Sequence, residues 1–113
     1  MKIDFLKNFK DGWLVGNFSP SVLKTEQFEL AIKKIKKGFV DKSHCHKKGE
    51  EFNVLISGKL RNKNQIITQD QLFIFDADEV SSIEALEDST ILVFRSYSDP
   101  NDKYLAEANW HLD

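Results

Sequence analysis

Two histidines, His44 and His46, flank the single cysteine Cys45 within the stretch Gly38-Phe-Val-Asp-Lys-Ser-His44-Cys45-His46-Lys-Lys-Gly-Glu50-Glu51-Phe-Asn-Val-Leu-Ile-Ser-Gly58. Successive side chains on a strand point to opposite faces, so the two imidazoles project to one side and Cys45 to the other. After the polar break Lys47-Lys48-Gly49 a second strand begins, and a carboxylate at its start, Glu51 or Glu50, can approach the same point from a neighbouring strand. Two histidines and a carboxylate form a facial ligand set for a divalent transition metal, with positions left open for water or substrate. Without a metal, the same imidazoles titrate near neutral pH and suit acid–base work. A solvated His-x-His pair in a polar loop carries the same letters, so structural context decides between these readings.

The elements that must position these groups read as strands. The chain has 113 residues, 41% hydrophobic and 30% charged, which suits one domain with a modest core. Nine phenylalanines, few glycines and prolines, and short apolar runs between polar turns indicate an all-β sandwich or barrel. Trp13 to Phe18 reads as a short strand ended by Ser19-Pro20-Ser21, part of an N-terminal arm over residues 1–20. Such an arm covers a barrel edge locally or crosses to a second subunit. Phe28, Leu30 and Ile32 alternate with Glu29, Ala31 and Lys33, a half-buried strand. From Glu51 to Ser57 both faces are apolar: Asn53, Leu55 and Ser57 share the side of Glu51, and Phe52, Val54 and Ile56 line the other. Leu72 to Phe75 and Ile91 to Phe94 behave alike, and no long amphipathic helix is available to cover the outer sides. A second sheet, the arm or a second subunit must do so, which leads to the expectation of a homodimer through sheet packing. Gly58 to Gln65 reads as a hairpin with an Asn-Lys-Asn tip.

Charge narrows the partners. The net charge is −2 and the pI near 5.9, without the basic stripe expected of a nucleic-acid binder. A membrane partner is not expected either, since no apolar run approaches the ~20 residues of a span. The N-terminus lacks the apolar region and cleavage site of a signal peptide. One cysteine allows no internal disulfide, which favours a reducing, cytoplasmic setting. Lys33, Lys34, Lys36, Lys37, Lys42, Lys47 and Lys48 form a basic band that either guides an anionic ligand to the histidines or is a solvated face. Asp70 to Asp88 is an acidic stretch with no Lys or Arg; it reads as solvated turns, or as a surface that sets the register of a contact with the basic band. Arg95 and Tyr97 leave the last core strand at its end, where contact with a ligand is one reading and a surface position the default.

The run Gly38, five residues, His44, one, His46, four, Glu51, six, Gly58 resembles the first signature motif of the cupin superfamily, complete in residue type and spacing. The resemblance implies a single-domain, jelly-roll β-barrel (a double-stranded β-helix) over residues 1–113, with a barrel core at 28–97 and a C-terminal tail at 98–113. It also implies metal ligation by His44, His46 and Glu51, with Fe, Mn, Ni or Zn as candidates. A second cupin motif supplies a further histidine. Laid on this chain that motif falls at Asp70, Asp76, Asp78, Ser81 and Ala85, matching in spacing but in none of the signature residues, so Ser81 stands where the fourth ligand belongs. Glu79 or Glu84 is a candidate replacement for the missing ligand, with the face each presents set by a register in which a one-residue slip inverts it. His111, near the terminus, is not counted as a ligand.

Three functions compete on this pattern. One is a small cupin binding a metal, a small polar ligand, or both through His44, His46 and Glu51. Another is a metal-free isomerase or epimerase acting on a sugar nucleotide, with His44 or His46 as base. The third is a non-catalytic binding or sensory module. Cupins host many unrelated activities, so the resemblance marks a site without choosing a reaction.

Overall fold

A computed structural model describes residues 1–41, 44–46, 51–76, 79–98, 103–105 and 110–112; at 44–46, 103–105 and 110–112 the description is of strand pairing alone. Two 3-10 turns, Leu6–Asn8 and Lys10–Gly12, lead into β1 (Trp13–Gly16), β2 (Leu23–Lys24), β3 (Glu29–Ile35), β4 (His44–His46), β5 (Glu51–Ser57) and β6 (Lys59–Asn62). There follow β7 (Gln65–Thr68), β8 (Leu72–Phe75), β9 (Ile83–Ala85), β10 (Ser89–Arg95), β11 (Lys103–Leu105) and β12 (Trp110–Leu112). Three sheets result, ordered β2-β1-β3-β10-β5-β8, β7-β6-β9 and β12-β11-β4.

The three seven-residue strands, β3, β5 and β10, lie side by side in the largest sheet and are rich in Val, Ile, Leu and Phe, the residues that fit a pleated surface. Their period-2 alternation sorts the side chains. Ala31, Leu55, Phe75, Ile91 and Val93 point inward and join Leu60, Ile67, Ile83 and Ala85 of the β7-β6-β9 sheet in one core cluster. Leu55 and Leu60 are fully enclosed, each contributing about 1.5–3 kcal/mol by leaving water.

The N-terminal strand is packed locally: β1 pairs antiparallel with β3 of its own chain, and the Lys33 ammonium sits 4.9 Å from the Trp13 ring centroid. The hairpin of β6 and β7 turns at Lys63 and Asn64, with Asn62 opposite Gln65.

Two features depart from the sequence reading. In β3 the deeply buried side is Glu29 and Ala31, while Phe28, Leu30 and Ile32 are only half-buried on the outside. The reason lies in the neighbours. β10 and β5 carry apolar groups on both faces, so hydrophobicity does not mark which side of β3 is inner. The C-terminal segment, read as a turn-rich tail, supplies β11 and β12, and β11 pairs antiparallel with the histidine strand: Lys103 opposite His46, Tyr104 opposite Cys45, Leu105 opposite His44.

Candidate functional site

Strand register places four residues in one row across the large sheet. Arg95 on β10 lies opposite Glu29 on β3 and opposite Glu51 on β5, and Glu51 lies opposite Phe75 on β8. Arg95 is in phase with Ile91 and Val93, so its side chain enters the interior and is only 6% exposed. Its Nη1 donates to Glu29 Oε1 at 2.7 Å. Ser98 Oγ donates to Glu29 Oε2 at 2.9 Å, and the Asn17 backbone N–H donates to Ser98 Oγ at 2.6 Å. A buried guanidinium with such partners avoids the large cost of an unpaired charge. The surface default for Arg95 is therefore wrong, whereas Tyr97 is exposed. The signal that was available is the alternation of Ile91, Val93 and Arg95.

Glu51 heads β5 on the same inner face as Asn53 and Leu55. Asn53, itself buried, donates through Nδ2 to Glu51 Oε2 at 3.3 Å and to the Phe73 carbonyl at 3.4 Å. The carboxylate is thus held from one side by an amide that is in turn anchored to β8. Glu50 lies outside the described residues.

The histidines occupy β4 with the alternation that places positions 44 and 46 on one face. Their side chains lie outside the description, as do Lys42, Lys47 and Lys48. The described strand pairings put β4 in the β12-β11-β4 sheet and β5 in the large sheet. The approach to β4 is nevertheless defined. Gly38 donates to the Ala85 carbonyl and Asp41 to the Ile83 carbonyl, each at 2.8 Å, and Val40 bridges Glu84. This antiparallel ladder on β9 runs toward Ser81 as the chain nears His44.

Ser81 is 6% exposed and in phase with the buried Ile83 and Ala85, hence on the interior face. The two substitute acids are placed elsewhere. Glu84 points outward and pairs with Arg61, and exposed Glu79 accepts the Asp76 N–H at 3.2 Å. Other acids of the stretch are also engaged within the chain: Asp88 Oδ1 accepts the Lys37 N–H at 2.8 Å, and Glu87 meets Lys59 at 3.6 Å. In the basic band Lys34, Lys36 and Lys37 are exposed.

The fit to a metal rests on chemistry split between described and undescribed side chains. Among the described residues no group of three or more His, Cys, Asp or Glu is arranged to hold an ion. Glu51 offers one anionic oxygen donor in the interior, and Ser81 offers a neutral hydroxyl, a poor donor for a transition metal; two imidazoles would be needed to complete a nitrogen–oxygen set. The described part fits one corner of such a site.

No family model and no curated protein matches the sequence. Solved structures do share its architecture. An uncharacterized conserved protein with a double-stranded beta-helix domain from Klebsiella pneumoniae superposes with a TM-score of 0.62 at 20% identity, covering 75% of this chain and 79% of that one. KdgF from a Halomonas species gives 0.59 at 20% identity, over 66% and 74%. A sugar phosphate isomerase of the cupin superfamily from Silicibacter pomeroyi gives 0.58 at 19% identity, over 72% of this chain and 57% of its own.

Proposed function

The chain has the cupin, double-stranded β-helix fold, and on that premise we propose that it is a small-ligand-binding cupin whose interior site holds a divalent transition metal through His44, His46 and Glu51. The observation that carries the reading is the placement of Glu51: an inward carboxylate on β5, fixed by buried Asn53 and one strand from Arg95. The ladder of residues 38–41 on β9 adds support, because it directs the histidine strand toward the interior position of Ser81. In this arrangement the two imidazoles and the carboxylate hold Fe, Mn, Ni or Zn, and Ser81 leaves a position open to a small polar ligand. When bound, the ion would polarise such a ligand as a Lewis acid. Asn53 orients Glu51, and Arg95 with Glu29 stiffens the adjoining row.

Elemental analysis of protein purified without added metal or a polyhistidine tag tests this. Stoichiometric metal that disappears in His44→Ala and in His46→Ala is expected. Protein that takes up none of the four metals on incubation overturns the reading.

A second reading is favoured by one observation, the serine in place of a fourth ligand. A metal-free pocket in which His44 or His46 exchanges a proton next to a carbonyl accords with the likeness to a sugar phosphate isomerase, and exposed Lys34, Lys36 and Lys37 suit a phosphorylated or diphosphate-bearing sugar. It predicts deuterium uptake from solvent into a keto-sugar phosphate or sugar nucleotide; a representative panel that shows none removes it.

A further inference from the structure

We propose that Lys103 on β11 binds the anionic group of the ligand held at His44, His46 and Glu51, which makes that ligand a small carboxylate or phosphate ester. The proposal rests on the metal reading above and adds the class of ligand and the residue that selects it. Strand register carries it. β11 pairs antiparallel with β4, with Lys103 directly opposite His46 and Leu105 opposite His44. β12 continues both rows, with Leu112 opposite Lys103 and Trp110 opposite Leu105. Directly opposite residues of an antiparallel pair share a face, with Cβ atoms about 4.5–5.5 Å apart. The face that holds both histidine positions therefore also holds Lys103, Leu105, Trp110 and Leu112, and Lys103 is the one charged position among these four.

The cations described elsewhere are engaged or distant. Arg95 shares the row of Glu51, but its guanidinium is bound to the Glu29 carboxylate at 2.7 Å. The Lys33 ammonium sits 4.9 Å from the Trp13 ring centroid. Lys34 lies in the row of Thr90, whereas Glu29 lies in the row of Arg95, a separation of about 17 Å at the usual rise of a strand. Lys37 is held at that same far end, where its backbone N–H donates to Asp88 Oδ1. The ladder of residues 38–41 carries the chain away from that end, its partners passing from Ala85 to Ile83. A small ligand at Glu51 is thus out of reach of Lys34 and Lys37. The segment that leads to β11 starts instead beside the Glu51 row, because Ser98 donates through Oγ to Glu29 and through its N–H to the Glu26 carbonyl. Charge points the same way. A divalent ion with two neutral imidazoles and one carboxylate keeps a net positive charge, and a lysine opposite His46 adds a second. An oxyanion balances both, and the compact ammonium on its four-carbon stem suits carboxylate and phosphate alike.

Isothermal titration of the zinc-loaded native chain tests the proposal with matched probes: lactate against lactamide, and glycerol 1-phosphate against glycerol. Metal content and circular dichroism are measured on the same samples. The charged member of at least one pair is expected to bind about tenfold or more tighter than its neutral partner, in line with one charge-assisted hydrogen bond, and the pair that does so tells carboxylate from phosphate. Lys103→Met is expected to keep its metal and lose the preference, and Lys103→Arg to keep both. Lys34→Met, at the far end of the sheet, leaves the preference unchanged. Added salt lowers the affinity of the native chain for the charged probe more than that of Lys103→Met. With metal bound, a preference that survives Lys103→Met, a preference lost in Lys34→Met, or charged probes that bind no better than neutral ones overturns the proposal and leaves the metal reading standing. A native chain that takes up no metal is the separate failure of that reading, and the proposal falls with it.

Discussion

Arg95 and Glu29 form a buried ion pair, Nη1 to Oε1 at 2.7 Å, with both side chains less than a tenth exposed. The pair sits in the row that contains Glu51, so the candidate site is built against a charged interior layer instead of against the apolar core alone.

Breaking that pair from one side is expected to be severe. Arg95→Leu leaves the Glu29 carboxylate buried without its guanidinium, with Ser98 Oγ still donating to it, and the loss of one partner of a buried pair costs about 3–5 kcal/mol. Arg95→Leu combined with Glu29→Leu removes both charges and should recover most of the loss. Urea denaturation of the single and double variants measures the coupling. Equal destabilisation in Arg95→Leu and the double variant would contradict an ion pair as the source.

Asn53 supplies the hydrogen bond that holds Glu51. Asn53→Ala is expected to reduce metal affinity by about 10–100-fold, as loss of an outer-shell partner typically does, at a stability cost of about 1–3 kcal/mol, since the Phe73 carbonyl also loses its donor. Isothermal titration with a divalent metal separates the two effects. Unchanged affinity in a folded variant would show that Glu51 is not oriented through Asn53.

The legible parts of this molecule were those in which local chemistry and global position agree. Gly38 and Gly58 bound the histidine motif, and both adopt left-handed backbone, φ 92° and 104°, which is why glycine stands at each end. The Asn-Lys-Asn tip lies at the β6–β7 turn, and Asn53 and Leu55 follow the inner face of Glu51. Other parts were illegible for a physical reason. Strands β5 and β10 are apolar on both faces, so the neighbours of β3 do not mark which of its sides is inner, and Phe28, Leu30 and Ile32 look like core residues although they face outward. Arg95 was hidden because a charged letter at a strand end suggests solvent, and only its burial reveals Glu29, sixty-six residues away, as its partner. The pairing of β11 with the histidine strand is set by tertiary contact between short segments of weak pattern.

The two motif glycines should differ in tolerance. A Cβ at Gly58 would lie 2.6 Å from the Asp88 carbonyl oxygen and 2.7 Å from Ser89 Cα, and would collide with Ser89 Oγ, whereas one at Gly38 meets nothing within 4 Å. Gly38→Ala therefore pays for its left-handed φ alone, about 1–2 kcal/mol. Gly58→Ala must also displace backbone at the start of β10 and is expected to cost about 3 kcal/mol or more. Thermal melts of both variants check the order. Equal shifts would mean that the 88–89 turn yields without strain.

Ser81→His tests the geometry of the site by addition. Ser81 is buried on the inner face of the β9 segment, and the ladder of residues 38–41 carries the chain toward it just before His44. If His44, His46 and Glu51 converge near that position, an imidazole there completes a four-ligand set and should raise affinity for Zn or Mn about tenfold or more, since each 1.4 kcal/mol of added ligation is one decade. The larger side chain costs about 1–3 kcal/mol in the metal-free protein through overpacking, so the apo form melts lower while added metal restores or exceeds the native melting point. This crossed response separates a completed site from simple damage. A variant destabilised in the apo form and not rescued by any of Fe, Mn, Ni or Zn would place the histidine strand away from Ser81 and leave Glu51 without the convergent imidazoles that metal binding requires.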